Sequence, residues 1–313
     1  MLILNKLWYR WGNHIAKFSS KGGWVRRNFI YLIIVINIIL LCPPSGYTGE
    51  PQRRLVEQLL IAEGLDPSQA QRIMQDPRIS IRSDIVIKNL FFSSAKGTAD
   101  KPDVMEVDQR QIKLGRAFIK EHADVLSVVE NRFGASPRII TAILIIESRL
   151  GAHPMPYNVV NAYVNLAFVL DPGYWKELQD LYAHAYPQLY DEATLTRAQR
   201  KAKWAVSELC YLVYIANHLG IDPLTITGSF AGALGPAQFI PSSFWIFGID
   251  GDSDGTASPF NLADAILSMG SYLKKYGWRE DASLEQKRKA IWHYNRSDVY
   301  VNTVMMLYEK LGR

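Results

Sequence analysis

Residues 139–146 read Ile-Ile-Thr-Ala-Ile-Leu-Ile-Ile, apolar almost without a break, and a carboxylate, Glu147, follows at once. Such a run predicts a helix buried on most sides. Ser136 stands where a cap is needed and Pro137 suits the first helical position. Gly151 is placed to end the helix, with Arg149 in its last turn near the negative end of the dipole. Other segments show the same helical period. Residues 53–75 predict helix with a turn at Gly-Leu-Asp-Pro-Ser-Gln, and a helical pattern runs from Val107 to Phe133. A long helix over 196–219 closes at Gly220, another runs from Asn261 to Tyr276, and a last helical part carries Trp-His-Tyr-Asn-Arg-Ser-Asp-Val-Tyr. Residues 79–87, Ile-Ser-Ile-Arg-Ser-Asp-Ile-Val-Ile, alternate enough to predict a short strand or extended passage. Residues 93–103 and 151–161 predict loops. The fold class is therefore mainly α, one module large enough for two lobes.

The N-terminus has a different pattern. Lys6, Arg10, Lys17, Lys21, Arg26 and Arg27 precede an apolar run over residues 29–42, and a Pro/Gly-rich stretch over 43–52 follows. A basic flank before a short apolar run predicts an export signal or membrane anchor. Residues 1–52 are thus set apart from a module at 53–313, with the module outside the cytoplasm in the cell envelope. No small-x-small cleavage pattern is evident, and Leu41 before Cys42 does not suit a lipoprotein site. The net charge of +5 lies largely in this segment. It gives no argument for nucleic acid and suits work beside anionic lipid or an anionic polymer. Cys42 and Cys210 lack metal-type spacing, and Cys210 reads as a small buried hydrophobe. The 16 Tyr and 8 Trp fill cores and can also stack on sugar rings.

Three stretches carry candidate chemistry. Glu147 sits beside hydrocarbon at a helix C-terminus, and burial and the dipole both raise a carboxyl pKa, as a general acid requires. A salt bridge is the alternative reading. Asp250, Asp252 and Asp254 alternate before Gly255, the first half of an EF-hand-like loop. Position 12 is Asn261 rather than Glu, so Asp264 would close the shell late and Thr256 would give its carbonyl. A solvated acidic turn is the alternative. Residues 228–239, Gly-Ser-Phe-Ala-Gly-Ala-Leu-Gly-Pro-Ala-Gln-Phe, let the backbone approach either a ligand or another helix. Ser229 and Gln238 are their polar members. Tyr294 and Asn295, with Tyr300 beyond, suit polyol or acetamide recognition or mark a helix boundary. No Ser/His/Asp triad, phosphate loop or zinc spacing stands out.

Taken in order, Glu-Ser-Arg-Leu-Gly, the glycine-rich run, the aspartate loop, Tyr294–Asn295 and Tyr300 resemble the lytic murein transglycosylase B family, glycoside hydrolase family 103. The resemblance covers residues 53–311. It implies a lysozyme-like helical core with an added helical lobe and an EF-hand-like calcium loop. It implies cleavage of the MurNAc–GlcNAc β-1,4 bond of peptidoglycan with formation of 1,6-anhydromuramoyl ends. It also implies roles: Glu147 as acid and base; Ser229, Gln238, Phe239, Tyr272, Tyr294, Asn295 and Tyr300 at the substrate; Asp250, Asp252, Asp254, Thr256 and Asp264 around a structural Ca2+. No organic cofactor is implied. The expected partners are peptidoglycan glycan strands and, through the N-terminal segment, a membrane. Residues 153–178 lack the paired arginines of the family and offer Tyr174 and Trp175 instead. A two-carboxylate hydrolase needs a second acid, and Asp171 and Glu177 remain with nothing to hold them at the required distance. A muramidase using water, or an idle wall-binding protein, are the rival readings.

Overall fold

The computed structural model describes residues 49–92, 103–153 and 155–312. The predicted anchor, Cys42 and most of the 93–103 loop lie outside them. Helices α1 (Glu50–Ala62), α2 (Pro67–Gln75) and α3 (Ser83–Ile87) come first, and α3 runs into a π-helical turn, Lys88–Phe92. Then follow α4 (Gln109–Glu121), α5 (Ala123–Phe133) and α6 (Pro137–Ser148). A short strand β1 (Tyr157–Asn158) precedes α7 (Val159–Phe168), α8 (Pro172–Tyr182) and the long α9 (Glu192–Leu219). Strand β2 (Thr227–Gly228) pairs antiparallel with β1, Tyr157 opposite Gly228. Helices α10 (Pro241–Phe247), α11 (Leu262–Lys275), α12 (Leu284–Tyr294) and α13 (Asp298–Leu311) complete the chain. Among the described residues no helix is long and apolar enough to cross a membrane.

The strand expected over 79–87 is not formed. Ser83–Ile87 is helical, and Ile85, Val86 and Ile87 on it are all buried. The preceding residues do stay outside any helix or strand, held by Asn161 Oδ1 accepting from Ser80 N at 2.9 Å and Asn165 Oδ1 from Arg82 N at 2.6 Å.

The described residues divide into two compact units. One takes the described part of Met1–Ile79 and Ala167–Val206. In it α1 packs on α2, and Arg53 on α1 donates to the carbonyls of Met74 at 2.7 Å and Ile79 at 2.5 Å. Asp171 caps α8, accepting from Tyr174 N at 2.8 Å and from Gln52 Nε2 at 3.0 Å. Tyr174 and Trp175 are buried there, Tyr174 edge-on to Phe168 at 5.8 Å. They are core residues, and Asp171 is a helix cap.

The other unit takes the described part of Ser80–Leu166 and Ser207–Arg313. Its centre is α6, which packs against α4, α5, α11 and α13. Every residue from Ile139 to Ile145 is essentially inaccessible. Each large aliphatic among them contributes about 1.5–3 kcal/mol by leaving water, so the helix is fixed by packing along its length. Its ends differ from expectation. Ser136 makes no side-chain cap; its hydroxyl is buried without a hydrogen-bond partner among the described residues, and its N–H donates to Glu280 Oε1 at 3.0 Å. At the other end the helix stops at Ser148, before Gly151. Arg149 and Leu150 already have φ of 52° and 61°, and Leu150 N–H reaches back to the Leu144 carbonyl at 3.0 Å, a Schellman-type closure built without glycine.

Candidate active site

Glu147 occupies the last turn of α6, one residue before its end. The packing that buries 139–145 carries the carboxyl to a place surrounded by protein, although the residue keeps some exposed surface. On α13, Ser297 Oγ caps the helix by accepting from Tyr300 N at 3.3 Å. That start places Tyr300, 1% exposed, so that its hydroxyl donates to Glu147 Oε1 at 2.6 Å. Burial pushes the Glu147 carboxyl up to about 7, and the Tyr300 hydrogen bond, which favours the charged form, opposes it. The salt-bridge alternative for Glu147 is therefore not what the fold builds. Burial and the nearby Glu147 raise both Tyr300 and Tyr294, which stay protonated donors.

The glycine-rich run is a backbone turn under close approach from both sides. Ser229 N donates to the Ala233 carbonyl at 3.0 Å, and Ser229 Oγ accepts from Ala233 N at 3.0 Å. Gly232, φ +89°, lies where a Cβ would fall 2.2 Å from the Tyr163 ring, whose hydroxyl donates to the Gly232 carbonyl at 2.9 Å. Gly235, φ +61°, lies where a Cβ would fall 1.8 Å from the Pro259 carbonyl oxygen. Packing accounts for these glycines. What the turn presents is the half-buried pair Ser229 and Gln238, the latter at φ +50° with Nε2 donating to the Gly235 carbonyl at 2.8 Å.

Tyr294 closes the same region from α12, its hydroxyl donating to the Ala237 carbonyl at 2.5 Å. Tyr272 on α11 donates to the His293 carbonyl at 2.7 Å. Phe239 is 3% exposed and packs its ring on Tyr272 at 6.0 Å and Tyr294 at 5.8 Å. It supports the aromatic wall from behind. Asn295 is exposed at the end of α12. Sequence reasoning missed Glu208, 3% exposed, which accepts from Ser242 N at 2.8 Å and Ser242 Oγ at 2.7 Å at the start of α10. Its one signal was a carboxylate within the apolar part of α9.

The aspartate loop brings its first three acids together. One carboxylate oxygen from each of Asp250, Asp252 and Asp254 lies within 4.8 Å of the others, and Gly255 at the sharp turn has φ +95°. Five donors steady these acids: the N–H groups of Ser253 and Gly255 on Asp250, of Asp254 on Asp252, of Thr256 on Asp254, and Asn261 Nδ2 on Asp252. Three converging carboxylates suit a hard divalent cation. Asp264 is not in that group. It is fully buried, and its two oxygens accept from Gly251 N and Ser258 N, each at 2.7 Å. Burial raises its pKa against those hydrogen bonds. Asn261, at position 12, caps α11.

A profile of the transglycosylase SLT domain matches residues 50–288. The chain belongs to this family. The membership agrees with the resemblance carried by its motifs. Membrane-bound lytic murein transglycosylase B of Escherichia coli (strain K12) is 26% identical over 263 residues, which cover 75% of this chain and 64% of that protein. The chain thus spans under two thirds of that relative. The transglycosylase fold is shared with solved structures. The Escherichia coli lytic transglycosylase Slt35 in complex with calcium aligns with a TM-score of 0.62 at 19% identity, over 84% of this chain and 93% of that one. SltB3 from Pseudomonas aeruginosa in complex with NAG-anhNAM-pentapeptide aligns with a TM-score of 0.63 at 19% identity, over 85% and 80%.

Proposed function

We propose that this chain is a peptidoglycan lytic transglycosylase, cleaving the MurNAc–GlcNAc β-1,4 bond and leaving a 1,6-anhydromuramoyl end. One observation carries the reading. Glu147 is held with a pKa near 7 by burial, with a tyrosine hydroxyl as its partner. An acid of this kind can work twice. It gives its proton to the glycosidic oxygen as the bond from C1 to that oxygen breaks. The carboxylate then takes the proton of the muramoyl 6-hydroxyl while that oxygen bonds to C1, which restores protonated Glu147 and consumes no water. The nucleophile is already part of the substrate, and intramolecular attack has a large entropic advantage. Tyr300 positions the carboxyl, and Ser229, Gln238, Tyr272, Tyr294 and Asn295 contact the sugars. Support comes from the membership in the transglycosylase family and from the relative complexed with NAG-anhNAM-pentapeptide.

The reading extends to the aspartate loop as a structural Ca2+ site. Asp250, Asp252 and Asp254 would hold the ion with the Thr256 carbonyl, and Asp264 would join through lone pairs left over from its N–H bonds. The converging oxygens and the calcium complex of Slt35 support this. The ion would supply rigidity and no chemistry. The protein works in the cell envelope, held there by residues 1–52; similarity to a membrane-bound relative supports this.

Digestion of purified peptidoglycan tests the proposal. Released muropeptides are expected to weigh one water less than hydrolysis products and to resist borohydride. A majority of borohydride-reactive ends would make the protein a muramidase, and no release at all would leave only a wall-binding role.

A further inference from the structure

On the π-helical turn Lys88–Phe92, Asn89 is 1% exposed. Its Nδ2 donates to the Ile85 carbonyl at 3.0 Å and to the Phe230 carbonyl at 2.9 Å. Both partners are carbonyls, so the amide nitrogen faces them and uses both of its N–H groups there. A buried amide is costly unless it is bonded, and an aliphatic side chain would fill the same space without that demand. Filling space therefore does not account for an asparagine here. What the amide adds is a bond between elements 141 residues apart.

Phe230 follows Ser229 in the glycine-rich turn, and the backbone is held on both sides of that serine. On one side Gly228 pairs with Tyr157 across the two strands, where a Cβ would fall 2.3 Å from the Ala233 carbonyl oxygen. On the other side Asn89 holds the Phe230 carbonyl. Lys88, next to Asn89, acts on the same flank. Its Nζ donates to the Tyr157 hydroxyl at 3.2 Å, and the Tyr157 ring meets Phe230 edge-on at 6.0 Å. Ser229 Oγ accepts from Ala233 N within the turn, so its O–H is the part it can offer a ligand.

Resting on the proposed contact between Ser229 and the glycan, we infer that Asn89 is a positioning residue of the site. Through the Phe230 carbonyl it keeps the Ser229 hydroxyl in the direction that meets the sugar. Asn89 itself touches no sugar.

The test uses the full chain carrying Glu147→Gln, so that binding is read without cleavage, and peptide-free murein glycan strands as the probe. Ser229→Ala in this background is expected to weaken binding about fivefold, the loss of one hydrogen bond. Asn89→Leu keeps a branched shape, removes the donors and should weaken binding by about the same factor. Together the two changes should weaken it no more than Ser229→Ala alone, because Asn89 acts through Ser229. An amide with a purely structural role would lower the melting temperature without this coupling. If Asn89→Leu does not fold, Asn89→Ser, smaller and left with one donor, is read in the same way. Unchanged binding in the folded Asn89 variant, or losses that multiply in the double variant, overturns the role. So does a Ser229→Ala protein that binds as its parent does. If the protein with Glu147 intact releases no anhydro products while the coupling persists, the cleavage reading fails and the positioning role stands. If the parent does not bind the strands, the role fails as well.

Discussion

Two places in the same unit hold carboxylates, and they treat them in opposite ways. Glu147 has one hydrogen-bond donor and is enclosed until its pKa climbs to about 7. Asp250, Asp252 and Asp254 lie near the surface and gather five donors among them. Withholding solvent and donors favours the proton on an acid, whereas converging carboxylates suit a hard cation. The residue type alone decides neither outcome. Asp264 falls between, fully buried yet holding two backbone N–H groups, and those opposing effects leave its pKa raised.

The contrast predicts a series of outcomes. Glu147→Gln is expected to reduce peptidoglycan release about 1,000-fold or more, because it keeps the shape and removes the proton donor. The same change sharpens the comparison through stability. The folded chain holds the Glu147 proton up to pH 7, whereas the ordinary carboxyl releases it near 4.5. Stability from this group is thus fully present below 4.5 and lost as pH rises through 7. At pH 8 the glutamine variant should be the more stable by on the order of 2 kcal/mol, and near pH 4 the two should melt together. Denaturant titration at both pH values reads this directly.

Tyr300→Phe removes the bond that favours ionised Glu147. The alkaline limb of the pH–rate profile should therefore move above 7, with the maximal rate down about tenfold. An unmoved limb would mean that the tyrosine sets geometry only. Gly235→Ala should destabilise by about 2–3 kcal/mol, since its Cβ would strike a backbone oxygen and its φ is positive. The smallest effect concerns the charged site. Millimolar Ca2+ should raise the melting temperature by a few degrees through selective binding to the folded chain, and Asp252→Ala should abolish the rise.

Much of this was readable in the chain. Glu147 drew notice because a charge at the end of an apolar run is costly without a partner or a use. The aspartate loop did so because its alternation and Gly255 fix both ligand direction and the sharp turn. What escaped was set by tertiary packing. Ser136 looks like a cap, yet Glu280, far along the chain, takes the N–H at the helix start. Gly151 looks like a terminator, yet Arg149 and Leu150 enter the left-handed region first. Residues 79–87 alternate for too few positions to separate a strand from a helical turn. Tyr174 and Trp175, offered in place of absent arginines, turned out to fill the core of the other unit. No local pattern could show that Phe239 is buried against the rings of α11 and α12.

One contact joins the aspartate loop to the glycine-rich turn. The Pro259 carbonyl, in the aspartate loop, presses on Gly235, in the turn that presents Ser229 and Gln238. Whatever steadies one backbone segment restricts the other, and thermodynamic reciprocity then applies. If an ion in the loop raises the affinity of the turn for sugar by some factor, bound sugar must raise the affinity of the loop for the ion by the same factor. If the loop does hold an ion and the turn a sugar, each ligand would help the chain retain the other.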